Sequence, residues 1–529
     1  MKEKKKLRLK KFYLHPITVF ILLTLLTIIL SGIFSVLGIQ ASYSTINSSN
    51  NQLENVLVTV ENLFSYDGLK YIISNAARNF ISFTTLSTLL ISLIGVSIAS
   101  ASGLFDTFIK KYMSKISNFQ ITFFLIFLAT ISSLVNEVGY TILIPLGAIL
   151  FKAIGRNPMA GIVAAFAGVA FGYGATVFVG SMEVNLNSIT TQAAYLVDTT
   201  THVSLTCNLF IIIVSSIILS VVGSFVMEKL IIPKIGRIHE KKDLTTSEYS
   251  IVPEVDEQSR LEQELLEKKG LRNSFLAAII VAFIFIYSII PGLPLSGMLL
   301  DMNETTYLGQ LFGANSYFQD GFTYMVSIFF MVTGLVYGFS SKTFKNDKDV
   351  AYKAGEYLSN IGGLVMTIFF AAQFIAIFRH SNIGTIITAW GANIINSVGF
   401  TGIPLILLIL FVIAIVSLFS TTPVAKWTIM APVVVPVLMQ SNISPQFAQF
   451  ILRAGDSMTK GYTPLLAFFV IYVGYLNIYN SKKEKPITIG MALRWVSPYC
   501  FIIGLTWILI TIGWYLLGLP IGPGVYPTV

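Results

Sequence analysis

Charge is what this sequence is short of. Only 12% of its 529 residues are Asp, Glu, Lys or Arg, against ~25% in an average soluble domain. That shortage excludes a chain whose surface mostly faces water. Cysteine is scarcer still. Cys207 and Cys500 both lie in apolar stretches, so neither a disulfide framework nor a thiolate metal site is on offer. The four histidines (His15, His202, His239 and His380) are scattered and have no ligand spacing. No H-E-x-x-H, C-x-x-C or serine–histidine arrangement occurs, so a membrane enzyme would have no constellation to work with, and no cofactor is expected. The net charge of +9 does not mark a nucleic-acid partner, because the basic residues fall in short loops between apolar runs.

What the chain has is apolar length: 54% hydrophobic residues and a mean hydropathy of +0.75. A window of about 20 residues matches the hydrocarbon core of a bilayer. It marks runs near 16–39, 83–104, 158–182, 206–230, 273–292, 321–341, 362–378, 447–475 and 491–518. Two more, at 119–155 and 399–440, are too long for one crossing. Polar residues break them at "SSLVNEVG" (132–139) and "SLFSTTPVAK" (417–426). Each reads as two half-length helices meeting at a polar tip, a re-entrant hairpin of the kind tolerated at membrane depth only under protein or beside a watery cavity. The expected fold is an all-α polytopic membrane protein with nine transmembrane helices and two oppositely oriented re-entrant hairpins. Its first half spans 16–230 and its second 273–529, joined by a charged cytoplasmic loop at 231–272 that reads as a helix or linker. The basic start, "MKEKKKLRLKKFYLHP", precedes an apolar run with no small-residue cleavage site, so it reads as a retained first span.

Loop charges orient the spans. The loops at 105–118, 231–272, 342–353 and 480–485 are rich in Lys and Arg, whereas 40–69, 183–205, 296–320 and 441–446 contain none. The positive-inside rule then gives a cytoplasmic N-terminus and an external C-terminus in the inner (cytoplasmic) membrane, with the hairpins inserted from opposite sides. Opposite insertion predicts an inverted repeat, and the sequence carries one. "YTILIP" (140–145) answers "WTIMAP" (427–432), Pro158 answers Pro445, Ala167-Gly168 answers Ala454-Gly455, and Gly174 and Thr176 answer Gly461 and Thr463. All share one offset of 287 residues without a gap. Inverted repeats with broken helices are the architecture of secondary transporters, whose sites lie where the repeats meet.

One stretch contradicts its surroundings. "RAGDSMTK" (453–460) puts Arg453, Asp456 and Lys460 on one helix face inside an apolar run. Each charge costs about 2.5–3.5 kcal/mol at mid-membrane on insertion scales, so such residues usually line a pathway. Arg453 and Asp456 are spaced to pair with each other. A plain internal ion pair that fastens helices is the competing reading.

The chain resembles the AbgT family, the p-aminobenzoyl-glutamate transporters. "LHPITVF", "ASGLFDTFIKKY", "GRNPMAGIVAAFAGVAFGYGA", "EKLIIPKIGR", "FFAAQFIAIFRHSNIG", "AKWTIMAPVVVPVLM" and "ISPQFAQFILRAGDSMTKGYTPL" carry the likeness in order along nearly the whole length. The resemblance implies a homodimer in the lipid bilayer and ion-coupled carriage, as in an antiporter, of small anionic aromatic solutes: p-aminobenzoyl-glutamate or sulfonamide-like compounds. The alternative is an uptake carrier for dicarboxylates, short-chain fatty acids or amino acids on a related hairpin architecture. It also implies functional positions at Trp427, Pro445, Arg453, Asp456 and Glu183. An arginine fork suits a substrate carboxylate, and Trp427 suits stacking on an aromatic ring. Thr421 and Thr422 border the same expected pocket. At the other tip, Asn136 and Glu137 stand where the family usually has Ser-Asp, and Glu137 is a candidate proton carrier or cation ligand. Ser133 and Ser417 stand at tip positions where relatives generally carry Asn, and Lys460 where the family pattern has another Asn. Fewer amide ligands and an added ammonium favour H+ over Na+ as the coupling ion, with Lys460 taking part of the cation's place.

Overall fold

Proline and short polar residues decide where the key helices begin. The structure is a computed structural model that describes residues 14–47, 52–113, 115–236, 257–482 and 484–529. The basic segment before residue 14 and the 237–256 part of the charged loop lie outside the described residues. Pro16, Pro158, Pro423 and Pro445 each open a helix at its first turn, where the missing N–H costs nothing. Asn157 and Ser444 cap two of those starts, accepting from the backbone N–H of Met159 and Phe447.

Nine helices among the described residues are long and apolar enough to cross a membrane. Their number matches the expectation but their membership does not. The helices Asn118–Val135 and Pro423–Gln440, expected as hairpin arms, qualify, while the runs at 158–182 and 447–475 do not. Each of those two is broken. Pro158–Gly172 gives way to irregular chain before Ser181–Ala194. Pro445–Thr459 passes through the tight turn Lys460–Tyr462 before Phe469–Ile478. The second break has a covalent cause: Pro464 disfavours helical backbone at the preceding residue, and Thr463 is extended at φ −139°, ψ 137°.

One loop is more ordered than expected. Residues 40–59 form an antiparallel pair, β1 (Gln40–Asn47) and β2 (Gln52–Thr59), so the chain is not helical throughout. The pairing sets Tyr43 opposite Val56 and Ala41 opposite Val58 on one face, cross-strand pairs of β-favouring side chains. The hairpin rests through Ala41 on Ile383, Ile386 and Ala389. The described end of the charged loop takes the helical one of its two expected forms: Glu257–Tyr287 is one helix that carries "EQSRLEQELLEKKG" straight into the next span.

The repeat is visible in the packing. Pro158–Gly172 and Pro445–Thr459 have 15 residues each and coincide under the 287-residue offset. A Cβ on Gly168 would fall 2.6 Å from Ala129 Cβ, and one on Gly455 would fall 2.9 Å from Ile413 Cβ. Each glycine therefore lets its helix lie on the first helix of its own hairpin. The pair Gly174 and Gly461 acts across the repeats. A Cβ on Gly174 would meet the Arg453 carbonyl at 2.7 Å, and one on Gly461 would meet Ala170 Cβ at 2.7 Å. The two broken helices cross where only hydrogen fits.

Candidate functional site

At the crossing, every charge of "RAGDSMTK" finds a partner, though not the expected one. Arg453 does not pair with Asp456. Helical spacing puts them on one face, but Arg453 reaches across the repeats to an ion pair in direct contact with Glu183, and both are essentially buried. Glu183 is itself placed by helix capping: its Oε2 accepts the Gly180 N–H at 2.7 Å, three residues back at the start of Ser181–Ala194. Two further guanidinium nitrogens, Nε and Nη2, have no acceptor among the described residues.

Asp456 is taken instead by Lys426, one residue before Trp427. Lys426 Nζ lies 2.5 Å from Asp456 Oδ1 and also donates to Ser417 Oγ, with both charged side chains at 0% exposure. Ser417 Oγ is 3.0 Å from the same carboxylate oxygen. Lys460 approaches the other oxygen, Oδ2, at 3.7 Å and Glu137 Oε1 at 3.6 Å. It donates to the Thr421 carbonyl at 3.3 Å and stands 3.6 Å from the centre of the Tyr173 ring. Lys460 is fully buried, so it does not reach out to water. Three cations and three carboxylates thus meet between the two tips, and their formal charges cancel when all are ionised.

The remaining expected residues divide. Asn136 occupies the first tip at φ 50°, ψ −134°, a positive-φ conformation, outside the left-handed helical well, that glycine adopts most readily. Its side-chain oxygen accepts from Ser181 Oγ at 2.7 Å. Ser133 Oγ lies 3.3 Å from the Ala175 carbonyl, tying the tip to the broken segment. Thr422 precedes the second tip's helix and faces a cavity described below. Pro445 is apart from the cluster and serves as the first residue of its helix. Trp427 is not an open stacking surface: it is fully buried, and its Nε1 donates to Thr190 Oγ1 at 2.9 Å. Thr190 in turn donates to Gln449 Oε1 at 3.0 Å, so the two bonds tie Pro423–Gln440 to Ser181–Ala194 and Ser181–Ala194 to Pro445–Thr459.

Beside the tips lies a cavity of about 350 Å³ whose lining includes Glu137, Tyr173, Gln319, Asp320, Thr422 and Phe468. A sequence profile of the AbgT transporter family matches residues 10–529. The chain is 30% identical to the p-aminobenzoyl-glutamate transport protein of Escherichia coli, over 97% of this chain and 94% of that protein. The chain belongs to the AbgT transporter family. It is a membrane transporter rather than an enzyme. Among solved structures it is similar to the YdaH transporter of Alcanivorax borkumensis, at 27% identity over 96% of this chain and 100% of that one, with a TM-score of 0.47. It is also similar to MtrF of Neisseria gonorrhoeae, described among antimetabolite efflux pumps, at 31% identity over 97% and 98% of the two chains, with a TM-score of 0.48.

Sequence reading of this AbgT chain missed Lys426, Thr190, Gln449, Tyr173 and the Gln319–Asp320 pair. For Lys426 a signal was available. It sits in the apolar run "PVAKWTIMAP", and an ionisable residue within such a run is a functional candidate by the reasoning that selected 453–460. For the others, only the fold reveals them.

Proposed function

We propose that the chain carries p-aminobenzoyl-glutamate-like or sulfonamide-like aromatic solutes across the inner membrane as a homodimer, driven by protons rather than sodium. Under this reading the two hairpins are re-entrant from opposite faces, the N-terminus is cytoplasmic and the C-terminus external. The substrate class follows from the curated relative, a p-aminobenzoyl-glutamate transport protein. One observation carries the coupling: the Lys426 ammonium sits between Ser417 Oγ and Asp456 Oδ1, where a hydroxyl and a carboxylate would otherwise offer oxygen ligands to a cation. A sodium ion added there would face Lys426 and Lys460 and leave the cluster with uncompensated positive charge. Protons, by contrast, can be exchanged by the lysines and by Glu137 without adding a ligand site. Arg453, with unpaired N–H groups beside Glu183, is suited to receive a substrate carboxylate when the crossing opens. The test is flux of p-aminobenzoyl-glutamate in proteoliposomes under an imposed pH gradient or an imposed sodium gradient. The pH gradient should drive transport and the sodium gradient should not, and Lys460→Asn should slow the proton-driven flux. Flux driven by sodium and indifferent to pH would refute proton coupling.

A further inference from the structure

The cavity beside the tips has a chemistry that the buried cluster does not share. Its charged lining is acidic, set among neutral hydroxyls and amides. Glu137 and Asp320 contribute carboxylates, and no Lys or Arg lines it among the described residues. Asp320 is exposed, and its carboxylate has no ion-pair or hydrogen-bond partner among those residues. Gln319 Oε1 is shielded from solvent and likewise lacks a donor. Two aromatic rings form walls. Phe468 is held by stacking on Tyr140, with ring centres 5.0 Å apart and planes 10° apart, and Tyr173 is held by the ammonium of Lys460. At about 350 Å³ the cavity is at the small end of ligand pockets, which run from about 300 to 1,000 Å³. It suits one substituted ring.

We propose that this cavity binds the amino-bearing aromatic end of the solute, and that Gln319 and Asp320 determine its specificity. A carboxylate would meet like charge here. An aryl N–H₂ group meets the unpartnered Asp320 carboxylate and an amide oxygen that needs a donor, Glu137 being shared with Lys460, while its ring lies between Tyr173 and Phe468. Gln319 and Asp320 are fixed by local structure: they fall in the first turn of Tyr317–Ser340, whose cap Ser316 accepts the Gln319 N–H at 3.2 Å. That helix belongs to neither hairpin, so the amine is read by an element outside the crossing. The approach keeps the same sign. A larger outer pocket of about 720 Å³ shares Asn185 with the cavity, carries Glu304, and has no Lys or Arg in its lining among the described residues.

The assignment rests on the transport reading for its physiological meaning, and its test separates the two. Binding of 4-aminobenzamide and of benzamide to the full chain in lipid nanodiscs is measured by calorimetry. The amine should bind about tenfold more tightly, as a hydrogen bond to a charged acceptor allows. Asp320→Asn and Gln319→Leu should each reduce that ratio while leaving benzamide affinity unchanged. Equal binding of the two amides, no binding of either, or a ratio untouched in both variants would overturn the assignment. Flux of p-aminobenzoyl-glutamate is scored separately: its absence alongside a preserved amide ratio sinks the transport reading and leaves the cavity assignment standing.

Discussion

Replacing Lys426 by Met removes one ammonium and leaves Asp456 in a fully buried site. The remaining neighbours are Ser417 Oγ at 3.0 Å from Oδ1 and Lys460 Nζ at 3.7 Å from Oδ2. Breaking a buried pair from one side costs about 3–5 kcal/mol, because a charge is left without its partner. Both side chains are at 0% exposure, so solvent screening gives no discount. The residual contact with Lys460 places the expected loss at the lower end, about 3 kcal/mol. Lys426→Met with Asp456→Leu removes the pair together, and well-packed apolar replacements of buried pairs are often neutral. The double variant should therefore be more stable than Lys426→Met alone, with the non-additivity expected of contacting residues. Unfolding of detergent-solubilised protein, followed by thermal melting or denaturant, measures the cycle. A Lys426→Met loss under ~1 kcal/mol, or strictly additive single losses, would refute the reasoning that the ion pair is buried and strong.

Two further outcomes follow from the architecture. In a background lacking Cys207 and Cys500, single cysteines at Thr199 and Asn315 should react with an impermeant thiol reagent from outside, and one at Lys348 only after permeabilisation; the reverse pattern inverts the proposed topology. Gly174→Ala would set a Cβ 2.7 Å from the Arg453 carbonyl and 2.8 Å from Ser457 Oγ, so it should cost about 1–3 kcal/mol of stability and reduce flux. Gly355→Ala, with open space at its Cβ, is the control and should not destabilise; matching losses in the two variants would remove the close-crossing argument.

The sequence made the scaffold legible because its signals are local or strictly periodic. Apolar length marks spans, Pro158 and Pro445 mark helix starts, and the constant offset between Gly174 and Gly461 exposes the repeat before any contact is known. The pairing of charges was not legible in the same way. Spacing along a helix says which residues share a face, and Arg453 and Asp456 do share one. It says nothing of what lies opposite. Glu183, 270 positions earlier, wins Arg453 because the capping of Ser181–Ala194 delivers its carboxylate to the crossing. The hydrogen bond of Trp427 is hidden from the sequence for a related reason. An indole near a polar tip suits a ring-stacking role, but its N–H needs an acceptor once buried, and Thr190 provides it. The interruptions in 158–182 and 447–475 are invisible to hydropathy, which averages over short irregular stretches such as 173–180.

The repeat also explains how its two halves build the charged cluster at the crossing. Under the 287-residue offset, Arg453, Asp456 and Lys460 correspond to Phe166, Val169 and Tyr173. Lys460 faces its own counterpart, with its ammonium 3.6 Å from the centre of the Tyr173 ring. Residues near a pseudo-twofold axis meet their equivalents in this way, so the axis passes close to this contact. Identical halves would bring two lysines together here, and like charges at that separation in a water-poor site would repel strongly. Tyr173 removes that conflict and gives the ammonium a π face. The first half also supplies two carboxylates, Glu137 and Glu183, opposite the second half's cations. The backbones retain a common pattern while the side chains have become complementary, and opening the crossing must separate opposite charges. Any solute or proton that promotes opening has to compensate those charges. Under the proposed function, the ion pairs that bridge the repeats, Arg453–Glu183 and Lys460–Glu137, are the groups through which transport is coupled.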